Sequence, residues 1–171
     1  MRIFIAIKAS ENIINFVQKV KNKIGLDVRW LPPENLHLTI IPPWEEKKEA
    51  IEKLICKLSE INVPKTKITF EKVSFGPDEK FPRLIWMTAK PSKELGLLKI
   101  DLEKKLGIRT EKRDFIPHIT IARFNEKNFH SFEQKKLILA IEEKMDISNF
   151  SLIQSTLTNK GAFYSTLSDF I

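Results

Sequence analysis

The chain has 171 residues, 42% of them hydrophobic, and 29 Lys and Arg against 22 Asp and Glu, so its formal net charge is +7 at pH 7. This length and composition suit one self-folding domain and exclude a disordered chain, a collagen and a coiled coil; no apolar run reaches the about 20 residues of a membrane span. The basic charge favours anionic ligands, and the single cysteine, Cys56, cannot form an internal disulfide, so we expect a soluble cytoplasmic protein.

Strand and helix signals alternate along the first half of the chain. The isoleucine-rich run from Arg2 to Lys8 predicts a strand. Ser10 and Gly25 flank apolar residues at helical spacing, so they predict a helix with a serine N-cap and a glycine after its last residue. An extended segment follows from Val28 to Ile41, and we expect the Pro42-Pro43 pair to end it. The next predicted elements are a helix between Ala50 and Leu58 and strands at Thr66 to Val73 and Arg83 to Ala89.

The second half of the chain repeats this order. Ser92 and Gly107 predict another helix with the same two ends, and the segment from Pro117 to Phe124 predicts a strand. A further helix is expected within Phe129 to Met145. The chain is then expected to end in two strands joined by a turn at 159–161, at Ile147 to Leu157 and Ala162 to Phe170.

Matching spacings in the two halves indicate an internal duplication. In both predicted helices the N-cap serine lies 15 residues before the closing glycine. A histidine follows the opening strand at the same distance in both halves, 34 residues from Ile3 to His37 and from Leu84 to His118. We therefore expect a single bilobal domain over 1–171, with approximate halves 1–82 and 83–171 packed about a pseudo-two-fold axis and a cleft between them.

Two of the three histidines stand in the same frame of histidine, apolar residue, threonine and apolar residue: His37 with Thr39, and His118 with Thr120. Because side chains alternate along a strand, each histidine shares a face with its threonine. Of two imidazoles across a cleft, one can accept a proton while the other donates one, as in-line displacement at phosphorus requires. The threonine hydroxyls can donate hydrogen bonds to the non-bridging phosphate oxygens, and Arg123 is a candidate to reinforce them.

Other uses of these residue types fit the sequence less well than acid–base catalysis. Arg123 lies five residues after His118, on the opposite face of a regular strand, so it reaches the site only if the strand bends. A metal site would need a third ligand, and the sequence has neither a His-x-x-Glu-His motif nor a cysteine cluster, so we expect no metal or other cofactor. His130, outside the repeated frame, is expected on the surface of a helix, and Cys56 is expected to pack rather than to act as a nucleophile.

Six segments, spread in order over nearly the whole chain, resemble the 2H phosphoesterase superfamily, and most closely its RNA 2′,3′-cyclic phosphodiesterase branch, also called the 2′-5′ RNA ligase family. They are Arg2–Ile7, Val28–Ile40, Phe81–Trp86, Phe115–Arg123, Ser155–Leu157 and Gly161–Tyr164. The resemblance implies an α+β, bilobal fold whose mainly antiparallel sheets face a central groove, with both histidine motifs on the floor of that groove.

The resemblance also implies an activity. It implies metal-independent hydrolysis of RNA 2′,3′-cyclic phosphate ends to 2′-phosphates and, in some members, 2′-5′ joining of RNA. The family's usual assignment makes His37 the proton donor and His118 the acceptor, although the sequence itself leaves the two roles interchangeable. We expect RNA or a related nucleotide as the partner, with no membrane and no obligate protein partner.

One segment departs from the family's pattern. Many members continue the first motif with lysine, phenylalanine, leucine and glycine, whereas this chain has Ile41–Glu45, with the sequence Ile-Pro-Pro-Trp-Glu. Loss of the lysine weakens contact with a phosphate, while Trp44 either stacks on a base or caps the neighbouring helix. Arg29, Arg113 and Lys160 either line a path for RNA or are solvated charges.

Two alternative functions remain open from the sequence. The groove could bind RNA or a nucleotide without turnover, although binding alone needs no proton-transfer pair. The catalytic site could also serve a small cyclic nucleotide or a 2′-5′ oligonucleotide, and binding that is insensitive to salt would distinguish such a ligand from long RNA.

Overall fold

The computed structural model describes residues 1–78, 80–108, 115–159 and 161–171. Single turns of 3-10 helix lie at Pro33–Asn35 and Lys48–Ala50. The other elements are β1 (Arg2–Lys8), α1 (Glu11–Ile24), β2 (Arg29–Trp30), β3 (His37–Glu45), α2 (Ile51–Leu58), β4 (Thr66–Gly76), β5 (Leu84–Ala89), α3 (Lys93–Leu106), β6 (His118–Arg123), α4 (Glu126–Ser131), β7 (Ile138–Ile147), β8 (Phe150–Thr158) and β9 (Gly161–Phe170).

The strands form one open antiparallel sheet in the order β7-β4-β5-β6-β3-β1-β8-β9, with the short β2 paired to β6. Leu38 of β3 pairs with Ile119 of β6 at the centre of this order. Four strands lie on each side of that junction, and each four-stranded part contains one of the histidine motifs. The expected α+β, mainly antiparallel fold is confirmed.

The two halves of the chain exchange strands. β4, from the first half, pairs with β5 and β7, which belong to the second half. In return, β8 from the second half pairs with β1 from the first. Each four-stranded part of the sheet therefore contains strands from both halves of the sequence.

The two faces of β1 pack into different hydrophobic clusters. Its three isoleucines lie in the main core together with the buried apolar residues of α1, α2 and α3. Phe4 and Ala6 point to the other face, where they form a smaller cluster with Ile153 and Tyr164. The helices thus cover one face of the sheet and leave the other face available for a site.

The helix boundaries agree with the sequence signals. α1 and α3 are followed by Gly25 (φ 62°) and Gly107 (φ 68°), in the left-handed conformation that glycine adopts without steric cost. The Ser92 hydroxyl accepts a hydrogen bond from the backbone N–H of Leu95, as an N-cap does. Ser10 occupies the N-cap position of α1, but its hydroxyl donates to the side chain two residues later rather than capping the helix.

The Pro42-Pro43 pair does not end its strand, contrary to the sequence prediction. β3 continues through both prolines to Glu45. They lie where the pairing with β1 is irregular, between the pairs Ile3–Trp44 and Ile5–Ile41. Because the ladder is interrupted there, the missing proline N–H groups leave no paired hydrogen bond unmade.

The helix expected within Phe129 to Met145 is also wrong in most of its length. α4 ends at Ser131, and the later part of this segment forms β7. The chain turns after Ile147, so the next strand begins at Phe150 rather than at Ile147. Alternate residues of this segment pack against or lie in the core, which gives a strand period of two: Leu137, Leu139, Ile141, Met145 and Ile147.

His130 and Cys56, which lie outside the repeated frame, are both exposed. His130 is exposed on α4, as expected. Cys56 is exposed on α2, so the expectation that it packs is wrong. Leu54 and Leu58 are the buried residues of α2, and Cys56 lies midway between them, on the opposite side of the helix.

Within the described ranges, no helix combines the length and the apolar character that crossing a bilayer requires.

Candidate active site

The pairing of Leu38 with Ile119 places the two histidine motifs side by side. Both paired residues are fully buried in the main core. Because neighbouring side chains of a strand point to opposite faces, the histidine and threonine of each motif project to the face that the helices leave open. All four are half-buried. The structure therefore brings His37, Thr39, His118 and Thr120 to one surface.

Each histidine is held by a backbone carbonyl two residues earlier in the chain. His37 Nδ1 lies 2.7 Å from the oxygen of Asn35, and His118 Nδ1 lies 2.8 Å from the oxygen of Ile116. A carbonyl oxygen only accepts, so Nδ1 carries the proton and donates it in both rings. The other nitrogen, Nε2, is then the group that can accept a proton from a substrate or a water molecule.

Aromatic rings fix the orientation of His37. The ring centroids of Phe4 and Tyr164 lie 5.0 Å and 5.3 Å from the centroid of the imidazole, and 5.1 Å from each other. Neither residue was singled out by its chemistry in the sequence. The available signal was Phe4 itself, a large aromatic residue on the strand face opposite the buried isoleucines.

A third aromatic residue has the same role for His118. The Trp86 ring packs edge-on against it with centroids 4.9 Å apart, and Trp86 Nε1 donates a hydrogen bond to Ser74 Oγ at 3.0 Å. The indole is thus anchored on β4 and supports a histidine on β6. Sequence reasoning missed Trp86 as well, because the β4–β5 and β5–β6 pairings that create this contact are not visible in local patterns.

The surroundings lower the pKa of both histidines. Burial lowers the pKa of His37 to about 4, and the positive charges of Arg123 and His118 act in the same direction against the Asn35 hydrogen bond. Burial and Arg123 also lower the pKa of His118, while the bond to Ile116 opposes this. Both imidazoles are therefore neutral at pH 7 when no anion is bound.

Arg123 reaches the site because β6 contains a bulge. The pairing between β5 and β6 skips one residue, and Ile121 and Ala122 are consecutively buried. This extra residue reverses the alternation, so that Arg123 shares a face with His118 instead of lying opposite to it. β3 has the same irregularity at Ile40, but the residue equivalent to Arg123 is Pro42.

His37, Thr39 and Arg123 line one cavity of about 490 Å³. In the β8–β9 hairpin, Leu157 of β8 and Gly161 and Ala162 of β9 close one side of it. Asn35 ties this hairpin to the site, because its Nδ2 donates to the oxygen of Ala162 at 3.2 Å while its own carbonyl accepts from His37. Among the described residues, no group of three or more His, Cys, Asp or Glu is arranged to hold a metal ion.

Trp44 lies away from the histidines. It is half-buried against the core and lines a separate cavity of about 270 Å³ with residues of α2 and of the end of α3. This position agrees with the helix-capping alternative rather than with a base-stacking one. Ile41, where the family's pattern has lysine, is buried in the main core.

Of the three basic residues predicted either to line a path for RNA or to be solvated charges, the structure describes Arg29. Arg29 is exposed on β2, pairs across the sheet with Arg123 and lines the same cavity as His37. Arg113 and Lys160 lie outside the described residues.

Comparisons with known proteins identify the family to which this chain is similar. Residues 9–159 match the profile of the 2′-5′ RNA ligase superfamily. The RNA 2′,3′-cyclic phosphodiesterase of Archaeoglobus fulgidus is 32% identical over 98% of each chain. The protein of the same name from Aquifex aeolicus is 26% identical over 99% of this chain and 96% of its own length.

Solved structures show the same fold. A Thermus thermophilus protein superposes with a TM-score of 0.81 at 21% identity, covering 99% of this chain and 97% of its own. Escherichia coli LigT, solved with 3′-AMP, gives a TM-score of 0.77 at 22% identity, covering 99% of this chain and 96% of its own. The resemblance carried by the two motifs is thereby confirmed, and the chain belongs to the 2′-5′ RNA ligase superfamily.

Proposed function

We propose that this chain hydrolyses RNA 2′,3′-cyclic phosphate ends to 2′-phosphates, with His37 and His118 as the acid–base pair. The observation that carries the proposal is that both histidines hold their Nδ1–H on a carbonyl and project, with their threonines, to one face of paired strands. Several relatives that align over nearly the full length carry the name RNA 2′,3′-cyclic phosphodiesterase, which supports this substrate class. We place the activity on RNA in the cytoplasm.

The chemical step is an in-line displacement at phosphorus. A water oxygen forms a bond to the phosphorus while His118 Nε2 takes a proton from that water. The bond from phosphorus to O3′ breaks, and His37 Nε2, protonated at the start, gives its proton to O3′. The products are a 2′-phosphate and a free 3′-hydroxyl. The two histidines then exchange protons with solvent to return to their starting states.

The remaining groups act on the negative charge. The hydroxyls of Thr39 and Thr120 donate hydrogen bonds to the non-bridging oxygens, and Arg123 stabilises the charge that accumulates there. The pKa of His37 is about 4 without substrate, so the ring needs a bound anion to hold its proton at neutral pH. The phosphate of the substrate supplies that anion.

The same arrangement explains joining of RNA. A ribose 5′-hydroxyl in the position of the attacking water would lose its proton to His118 and form a 2′-5′ phosphodiester as O3′ departs. The catalytic groups keep their roles, and only the attacking oxygen changes.

The test is product analysis with an oligonucleotide ending in a 2′,3′-cyclic phosphate, in the presence of EDTA. The wild-type protein is expected to release the 2′-phosphate, and His37→Ala and His118→Ala are each expected to lose about 100-fold or more in kcat. His130→Ala, at an exposed position on α4, is the matched control and should retain full activity. A 3′-phosphate product, or full activity in either of the first two variants while folded, would contradict the proposal.

A further inference from the structure

A second cavity adjoins the one that contains His37. It has a volume of about 400 Å³; Glu34 and Asn35 of the 3-10 turn line it, whereas His37 and His118 do not. The two cavities share five lining residues: Arg29, Arg123, Gly161, Ala162 and Tyr164. They form a continuous groove with two arginines at the junction.

The arginine pair is unusual in its electrostatics. Arg29 and Arg123 are directly opposite each other on β2 and β6, and both are exposed. Like charges directly opposite on neighbouring strands destabilise a sheet. No carboxylate in the described part of the chain forms an ion pair with either guanidinium. Among the described residues, neither guanidinium therefore has a carboxylate partner, and both remain able to bind an anionic group of a substrate.

The β8–β9 hairpin makes room for the Arg29 guanidinium. A Cβ atom at Gly161 would lie 2.6 Å from Arg29 Nη1, so the end of this flexible side chain rests directly against the glycine backbone. Gly161 also has φ +120°, which side-chain-bearing residues rarely adopt. The guanidinium is thus seated over the hairpin at the junction of the two cavities.

Two aromatic residues, Trp30 and Phe163, line the second cavity together with Arg29. Trp30 is half-buried beside it, and Phe163 is 62% exposed on the opposite hairpin. An exposed aromatic ring next to a cationic side chain is the combination that holds a nucleobase and its phosphate in proteins that bind single-stranded nucleic acid.

We propose that Arg29 binds the phosphodiester that precedes the terminal nucleotide, and that the second cavity holds the nucleoside on the far side of that phosphate. This inference rests on the proposed function. Arg123 serves the cyclic phosphate in the first cavity, and Arg29, one strand away, serves the next phosphate along the chain. The substrate class is then RNA ends of at least two nucleotides, rather than free nucleoside cyclic phosphates.

The experiment compares two substrates that differ by one nucleoside and one phosphate: cytidine 2′,3′-cyclic phosphate, and the dinucleotide ApC with a 5′-hydroxyl and a 2′,3′-cyclic phosphate end. The wild-type protein should turn over the dinucleotide with a kcat/KM about tenfold higher or more, mainly through KM. Arg29→Gln should lower kcat/KM for the dinucleotide about tenfold more than for the mononucleotide. Arg29→Lys keeps the positive charge but not the bidentate hydrogen-bond donor. Its kcat/KM for the dinucleotide should therefore lie between those of the wild-type protein and Arg29→Gln.

Arg83→Gln is the matched control. Arg83 is an exposed arginine that lines neither cavity, so the same charge change there should leave the ratio of the two kcat/KM values unaltered. Thermal unfolding of each variant shows whether it is folded. The salt dependence of KM for the dinucleotide should also become shallower in Arg29→Gln, because one phosphate contact is lost.

Three results would overturn the inference. An equal loss on both substrates in Arg29→Gln would assign Arg29 to the cyclic phosphate itself, and no loss on either would remove it from binding. In both cases the wild-type protein still turns over both substrates, so the proposed function stands. A wild-type protein that turns over neither substrate would instead overturn the proposed function, and the inference with it.

Discussion

Leu38 and Ile119 lie opposite each other on β3 and β6, and theirs is the residue pair that joins the two four-stranded parts of the sheet in the described chain. Both side chains are fully buried in the main core. The four motif side chains flank this pair on the open face, so their mutual positions depend on how well two apolar side chains pack behind them.

Leu38→Ala should therefore weaken both the fold and the site. Removing a fully buried leucine side chain is expected to lower the free energy of unfolding by about 2–5 kcal/mol. The loosened junction should also lower kcat/KM at temperatures where the variant is folded. Urea unfolding and turnover measure the two effects. Leu102→Ala, equally buried on α3, is the control and should lose stability without a comparable loss of activity.

The pH dependence of kcat/KM should be a bell with its maximum below pH 6.5. Catalysis needs one histidine protonated and the other neutral, whichever has which role, so the two limbs follow the two pKa values in the free protein. Both pKa values are lowered, that of His37 to about 4. Kinetics between pH 4 and 8, together with NMR titration of the ring protons, check this. A maximum at pH 7.5 or above would contradict it.

Arg123→Gln extends this prediction. The Arg123 guanidinium lowers the pKa of both histidines, so its removal should raise both values and move the maximum to higher pH. The overall rate should fall as well, because a phosphate contact is lost. If the rate fell and neither titration moved, Arg123 would act on the substrate alone.

Acid should destabilise the protein through His37. Its pKa is lower in the folded chain, about 4, than the 6.5 of an unperturbed imidazole, so the unfolded state binds more protons between these values. Stability from this group is complete above pH 6.5 and is lost as the pH falls, by about 2 kcal/mol at pH 5. The difference between the urea unfolding midpoints at pH 7 and pH 5 should be smaller in His37→Gln than in the wild-type protein. An equal pH effect in both proteins would refute this assignment.

Gly76→Ala should disturb His118 at a distance. A Cβ atom at Gly76 would lie 2.4 Å from the Trp86 ring, so the indole must move from its position against His118 and from its bond to Ser74. We expect a changed tryptophan fluorescence and a lower kcat. Gly96→Ala is the control: it meets nothing within 4 Å on α3, and alanine there should stabilise the helix by about 0.5–1 kcal/mol.

Most helices and strands could be predicted from the sequence because the signals for each lie within its own segment. The helix that ends before Gly25 has its own apolar spacing and its own terminal residue, and neither depends on the rest of the fold. The helix prediction for the segment that forms β7 is wrong because charged residues interrupt its alternation, and its pairing with β4 decides its conformation. The prediction that the Pro42-Pro43 pair ends its strand is wrong because the tolerance of a strand for proline depends on its pairing with the neighbouring strand.

Some residues of the site could likewise be predicted from the sequence, and others could not. The histidines and threonines could be identified because the frame occurs twice, and the structure brings them to one face. The approach of Arg123 could not be predicted, since it depends on a bulge at Ile121 that only the pairing with β5 reveals. Phe4, Trp86 and Tyr164 are single aromatic residues with no repeated partner to mark them, and only the fold places them beside an imidazole.

Because the two halves of the chain exchange strands, neither half contains all the strands of its own part of the sheet. A cut between residues 82 and 83 would leave β4 without both of its neighbours on one fragment, and β8 without β1 on the other. Each fragment would then display unpaired strand edges whose hydrogen-bonding partners reside on the other fragment. The two pieces are thus complementary rather than autonomous, and mixing them should reconstitute turnover that neither possesses alone.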